Sequence, residues 1–167
     1  YSQVFTSYRE SASQDNDWKP SNRAPVTSSF LYFEADFKCF PNKSMDEALD
    51  FIYSKKLKPS LVVFSGGGLH VYIKLSETYE IKKPGDREVF EDLNKRLANY
   101  FMEKTEIELD EIGDAARVLR IPGTWNHKPE YAKPIQAEIR SDISELENEY
   151  TIKELDTMLP LEKKIIG

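Results

Sequence analysis

A single cysteine, Cys39, stands in the 167 residues, so no internal disulfide framework and no cysteine-rich zinc site is available. That scarcity fits a reducing compartment, and a cytoplasmic, intracellular protein is the expectation. No apolar run approaches the length needed to span a bilayer, and no signal-peptide pattern is present. No internal repeat and no low-complexity segment appears. An excess of positive charge is also missing. The formal net charge is −6, which argues against a generic basic module that coats nucleic acid, though not against an enzyme with a local basic patch. What is present is an ordinary globular balance, 40% hydrophobic and 31% charged, in a length that suits one domain with a core of its own. The chain opens on Tyr1 rather than Met, and the expectation is a single domain over 1–167 that is a fragment of a longer protein.

Hydrophobic periodicity supplies the elements. Gln3 to Tyr8 alternates weakly and reads as a first strand, followed by a long polar loop over Ser11 to Ser29. Phe30 to Phe37 reads as a strand with Leu31, Phe33, Ala35 and Phe37 on one face and Phe30, Tyr32, Glu34 and Asp36 on the other. Ser44 and Glu47 form a capping-box signature ahead of a helix whose stripe is Ala48, Leu49, Phe51 and Ile52. Leu61 to Phe64 and Leu69 to Leu75 read as paired strands around Ser65-Gly66-Gly67-Gly68. A second helix is expected from an Asp86 N-cap to Lys104, with Val89, Phe90, Leu93, Leu97, Tyr100 and Phe101 inward. Lys133 to Arg140 reads as a strand, and Ile152 to Leu159 as a last helix after Thr151. Helices mixed with hairpins make the class α+β.

Three blocks carry candidate chemistry. Glu34 and Asp36, two apart on a strand, point the same way. Their mutual repulsion in a partly dry site is relieved by a divalent cation, although an acidic pair alone is more often a solvated face. Three glycines before His70 let backbone N–H groups approach an anion, with the imidazole as an added donor; a plain hairpin turn is the alternative. The third block runs from Asp110 to Lys128. It holds Arg117 and Arg120, whose planar forks suit a triphosphate, then a Pro-Gly turn leading to Asn126 and Lys128. Arg117 paired with Asp114 would instead only staple the segment, and Asp114 could equally cap a helix. Trp125 and Tyr131 are candidates for base stacking, against the commoner buried structural aromatic. His127 reads as an exposed loop residue.

Taken in order, the acid-x-acid strand, the Ser/Gly turn ending in His and the acid followed by arginines resemble the archaeo-eukaryotic primase superfamily. The likeness is to its primase-polymerase domains on plasmids, phages and other mobile elements. The stretch Ala116 to Thr124, with Asn126 and Lys128 behind it, is the most specific part, and the resemblance spans Phe30 to Lys128. It implies a fold with RRM-like halves and a mixed sheet flanked by helices. It also implies a DNA primase or polymerase joining nucleotide triphosphates on a single-stranded or primed DNA template. The resemblance makes Glu34, Asp36 and Asp110 catalytic ligands of Mg²⁺ or Mn²⁺, in a two-metal site. It sets Ser65, Gly67, His70, Arg117, Arg120 and Lys128 at the triphosphate, and Arg9 where relatives sometimes add a contact. Matching backward from the arginines favours Asp110 over Asp114 as third acid. The family pattern begins with aspartate, whereas this chain has the longer Glu34. No membrane partner is implied. Helicase, zinc-binding or CRISPR-associated modules belong to the expectation for a parent chain.

Overall fold

The protein is described from a computed structural model, which covers residues 4–7, 24–40, 42–82, 84–102 and 119–160. Its elements are β1 (Val4–Ser7), β2 (Ala24–Asp36), α1 (Met45–Tyr53), β3 (Leu61–Phe64), β4 (Gly68–Glu80), α2 (Pro84–Met102), β5 (Trp125–Asn126), β6 (Ile135–Gln136), β7 (Glu138–Ile139), β8 (Glu149–Tyr150) and α3 (Ile152–Met158). The fold is mixed α+β. Strands β1-β2-β4-β3-β7 form one antiparallel path, β8 joins β4 in parallel, and β5-β6 make a separate small hairpin. Among the described residues no helix is long and apolar enough to cross a membrane.

The strict alternation in β2 sets the core. Leu31, Phe33 and Ala35 are fully buried, with Val71, Ile73 and Leu69 of β4 among the same cluster. Helix α2 packs on β2 through a Phe33–Phe101 ring stack at 5.0 Å and an edge contact between Tyr32 and Phe90. The Tyr32 N–H donates to Asn94 Oδ1 of that helix at 3.0 Å, so a buried β2 amide is satisfied by a side chain. Helix α1 starts as expected at Ser44, whose hydroxyl accepts from the Glu47 N–H. Only half of the capping box forms, because the Glu47 carboxylate binds Asn42 instead.

Four expectations are corrected. Strand β2 begins at Ala24, so 24–29 is strand rather than loop. Val26 and Thr27 suit a strand, Pro25 sits at a register shift against β1, and Thr27 and Ser28 pair with the far end of β4. Helix α2 starts at Pro84 rather than at an Asp86 cap, since proline tolerates the first helical turn; the Asp86 carboxylate reaches back to the Lys82 N–H. Val89 is half exposed, and the inward stripe is Phe90, Leu93, Leu97 and Phe101, joined by Asn94 and Arg96. The stretch 133–140 is two strands in two sheets. Buried Ala137 lies between them and exchanges hydrogen bonds with Gly123 and Thr124, which turns the chain from β6 into β7.

Candidate functional site

One cleft of about 210 Å³ collects the described candidates from all three blocks: Glu34 and Asp36, then Ser65, Gly67 and His70, then Arg120 and Lys128. Asp110, Asp114, Arg117 and Arg9 lie outside the described residues.

The acids are placed by the β2–β4 ladder. Glu34 stands opposite His70 and Asp36 opposite Gly68, so both carboxylates and the imidazole share one face. His70 Nε2 donates to Glu34 Oε1 at 3.1 Å. His70 is 5% exposed, and its Nδ1 has no hydrogen-bond partner among the described residues. With the proton on Nε2, Nδ1 is a bare acceptor, the less costly state for an unpartnered ring nitrogen. Tyr72 lies two residues along the same face, opposite Tyr32. Its phenol is pushed up to about 12, first by burial and then by the Glu34 charge. Asp36 ends β2 and caps the short 3-10 turn Phe37–Cys39. Its carboxylate accepts from the Lys38 N–H at 3.0 Å and meets Lys38 Nζ at 3.3 Å. Glu34 and Asp36 are hard oxygen donors opening into one cleft, a donor set that fits a divalent cation. Among the described residues alone, no group of three such ligands exists.

The glycine turn is built for close approach. A Cβ on Gly68 would stand 2.5 Å from the Ala35 carbonyl oxygen and 2.9 Å from Asp36 Cα, both backbone atoms. The turn therefore packs against the strand that carries the acids. Gly66 has φ +104°, a conformation that glycine alone adopts at little cost. The Ser65 N–H and hydroxyl both donate to Gly68 O, at 2.9 and 3.0 Å, closing the turn. The Ser65 hydroxyl thus has a structural task as well as a place in the cleft.

The third block enters through Arg120, whose Nη1 donates to Trp125 O at 3.3 Å. Residues Ile121–Thr124 form a tight turn closed by Thr124 N–H to Ile121 O, with Gly123 at φ +86°, the pattern of a type II turn with proline at its second position. The turn delivers Asn126, 3% exposed, whose Nδ2 donates to Ser65 O at 2.7 Å. Tyr131 lies over Gly67; its hydroxyl is 2.7 Å from where a Cβ would be. Asn126 and Tyr131 therefore hold the glycine turn against the hairpin. Sequence reasoning had no role for the amide and only a stacking role for the phenol, since nothing local reveals which carbonyl a loop asparagine will meet. Lys128, with its ammonium 3.8 Å from Glu130, also lines the cleft.

No protein-family model matches the chain, and no curated protein does. Among solved structures the chain is similar to the primase-polymerase (PrimPol) AEP domain of cyanophage S-2L, with a TM-score of 0.56 and 14% identity. The match covers 85% of this chain and 64% of that one, so the chain spans under two thirds of the length of that domain. At this identity the likeness is one of fold alone: the chain has a primase-polymerase fold.

Proposed function

We propose that the chain is a template-directed nucleotidyltransferase, a DNA primase or polymerase that joins nucleotide triphosphates and releases pyrophosphate with divalent-metal help. The observation that carries this reading is a single cleft lined by two acids, Glu34 and Asp36, by two bases, Arg120 and Lys128, and by the Ser65–His70 turn. The acids suit a divalent cation, and the bases suit a polyphosphate. The likeness of fold to a primase-polymerase domain agrees with it.

On this reading Glu34 and Asp36, with Asp110, would hold Mg²⁺ or Mn²⁺, which when bound lowers the pKa of an attacking hydroxyl and neutralises developing charge. Arg120 and Lys128 bind the triphosphate tail, as does Arg117, and hold it in line for attack on the α-phosphorus. The glycine turn keeps side chains away from that tail. Burial of His70 fixes its ring so that Nε2 points into the cleft, ready to donate to a phosphate oxygen once Glu34 turns away.

Primer extension with Mg²⁺ and with Mn²⁺, on DNA template with both sugar types, tests the proposal. Asp36→Ala should abolish product while its circular-dichroism melt shows a folded protein. Retained synthesis in that variant overturns the assignment. A second reading, a weak or inactive nucleotide-binding module on the same scaffold, is favoured by the Glu34–His70 contact, which occupies both groups with each other. Nucleotide affinity without product in any metal would select it.

A further inference from the structure

Strand β7 is the last in the main antiparallel path, and no described strand pairs with its outer edge. Its ladder with β3 fixes which backbone groups that edge presents. Val63 stands opposite Ile139 and Phe64 opposite Glu138, and the Arg140 N–H donates to Val62 O at 2.8 Å. Successive residues of an antiparallel strand bond to opposite sides. Glu138 and Arg140 therefore bond inward to β3, and the N–H and C=O of Ile139 point outward. Neither group has a partner among the described residues. The outward residue before it, Ala137, is already taken, its N–H and C=O bonding to Thr124 and Gly123. Ile139 is thus a single open rung. Its side chain is 52% exposed, and that of Ile143, at the start of the following 3-10 turn, is 78% exposed.

Native sheet edges are often blunted by charge that keeps another strand away. This edge is not: Glu138 and Arg140 flank Ile139 and pair with each other at 2.5 Å, leaving the edge neutral. Their order is also self-complementary. An antiparallel copy centred on Ile139 sets Glu138 of one chain opposite Arg140 of the other, twice over. Each arginine then meets two carboxylates and each carboxylate two guanidiniums, an alternating ring of four charges. The two Ile139 residues exchange N–H···O=C bonds in both directions, so the open rung is satisfied by its own kind. We infer that the β7 edge is an isologous contact through which two copies of this chain join their main sheets. Nothing on the edge specifies a foreign strand, whereas the charge order Glu-Ile-Arg specifies a second copy. The contact is small, with three residues from each strand, and the dimer is a weak, concentration-dependent one. It needs no metal, nucleotide or nucleic acid, so it stands apart from the proposed activity.

The test is sedimentation equilibrium on the whole chain, from about 10 μM to about 1 mM. Wild type should move from monomer toward dimer as concentration rises. Arg140→Glu leaves two acids around Ile139, and Glu138→Arg leaves two bases. Each alone should raise the dimer dissociation constant about tenfold or more. An equimolar mixture of the two variants should recover the dimer, because acid then faces base again. The double exchange of Glu138→Arg with Arg140→Glu restores self-complementarity within one chain and should recover it too. Circular-dichroism melts check that every variant is folded, and both rescues succeed only with folded protein. The inference is overturned by a wild type that stays monomeric throughout, or by single variants that dimerise as tightly as wild type. A mixture and a double exchange that both stay monomeric overturn it equally.

Discussion

Glu34 is long enough to reach across the β2–β4 ladder to His70, and aspartate at that position would be one methylene short. The contact at 3.1 Å therefore follows from the departure already visible in the sequence. It keeps a buried imidazole satisfied on one side, but it sets the carboxylate against the donor that the triphosphate would use. Glu34→Asp should withdraw the carboxylate from His70 and raise primer extension several-fold above wild type. A slower variant would show that the longer acid is required. Tyr72 senses the same carboxylate. Its folded-state value of about 12 lies above the ordinary 10.0, so the stability it contributes is complete below pH 10. That contribution is lost as pH climbs toward 12, because the unfolded chain releases the proton first. Burial raises Tyr53 and Tyr79 as well, with Glu145 and Asp86 respectively adding to it, and all three work in the same direction. Tyr72→Phe should move the midpoint of alkaline unfolding upward, measured by circular dichroism across pH 9 to 12. An unmoved midpoint would remove Tyr72 from the account.

Among the elements, two glycines make opposite predictions. Gly68 meets backbone on β2, which cannot yield as a flexible side-chain tip can, so Gly68→Ala should destabilise by about 2 kcal/mol or more and disturb the seat of Asp36. Gly85, in the first turn of α2, has nothing within 4 Å of the place a methyl group would take, so Gly85→Ala should stabilise by about 0.5–1 kcal/mol. Denaturant melts of the pair check both signs. These elements also show what the sequence could tell. The Leu31, Phe33, Ala35 alternation was readable because one face is wholly buried, and the Thr151 cap of α3 because its capping box is local. The early start of β2 was not, since 24–29 looks polar and is recruited by a partner some fifty residues away in the chain. The break at Ala137 was hidden likewise: two strands run on in sequence while belonging to different sheets. The described site residues were legible through three motifs in order and the family resemblance they carry, but the Asn126–Ser65 bond depends on tertiary placement.

Across the whole molecule, Arg96 joins regions far apart in the chain. It is 3% exposed, and from α2 it donates to the carbonyls of Asp156, Leu159 and Pro160 and to the Asp156 carboxylate at 2.6 Å. The carbonyls at the end of α3 are thereby satisfied by a side chain of another helix. Arg96→Ala should cost about 2–4 kcal/mol, seen as a lowered thermal midpoint, with nucleotide affinity unaffected at temperatures where the variant is folded. An unchanged midpoint would show the clamp to be incidental. The β3 edge of β4 depends on the same distant region. Just before β3 begins at Leu61, the Ser60 hydroxyl accepts the Lys74 N–H at 2.8 Å and donates to Asn148 O, and β8 lies along the next residues of β4. On a ribosome, the strand bearing His70 would emerge some seventy residues before the segment that completes its border. The half-built sheet would wait with an open edge, and domain closure would be a late, long-range event rather than a local one.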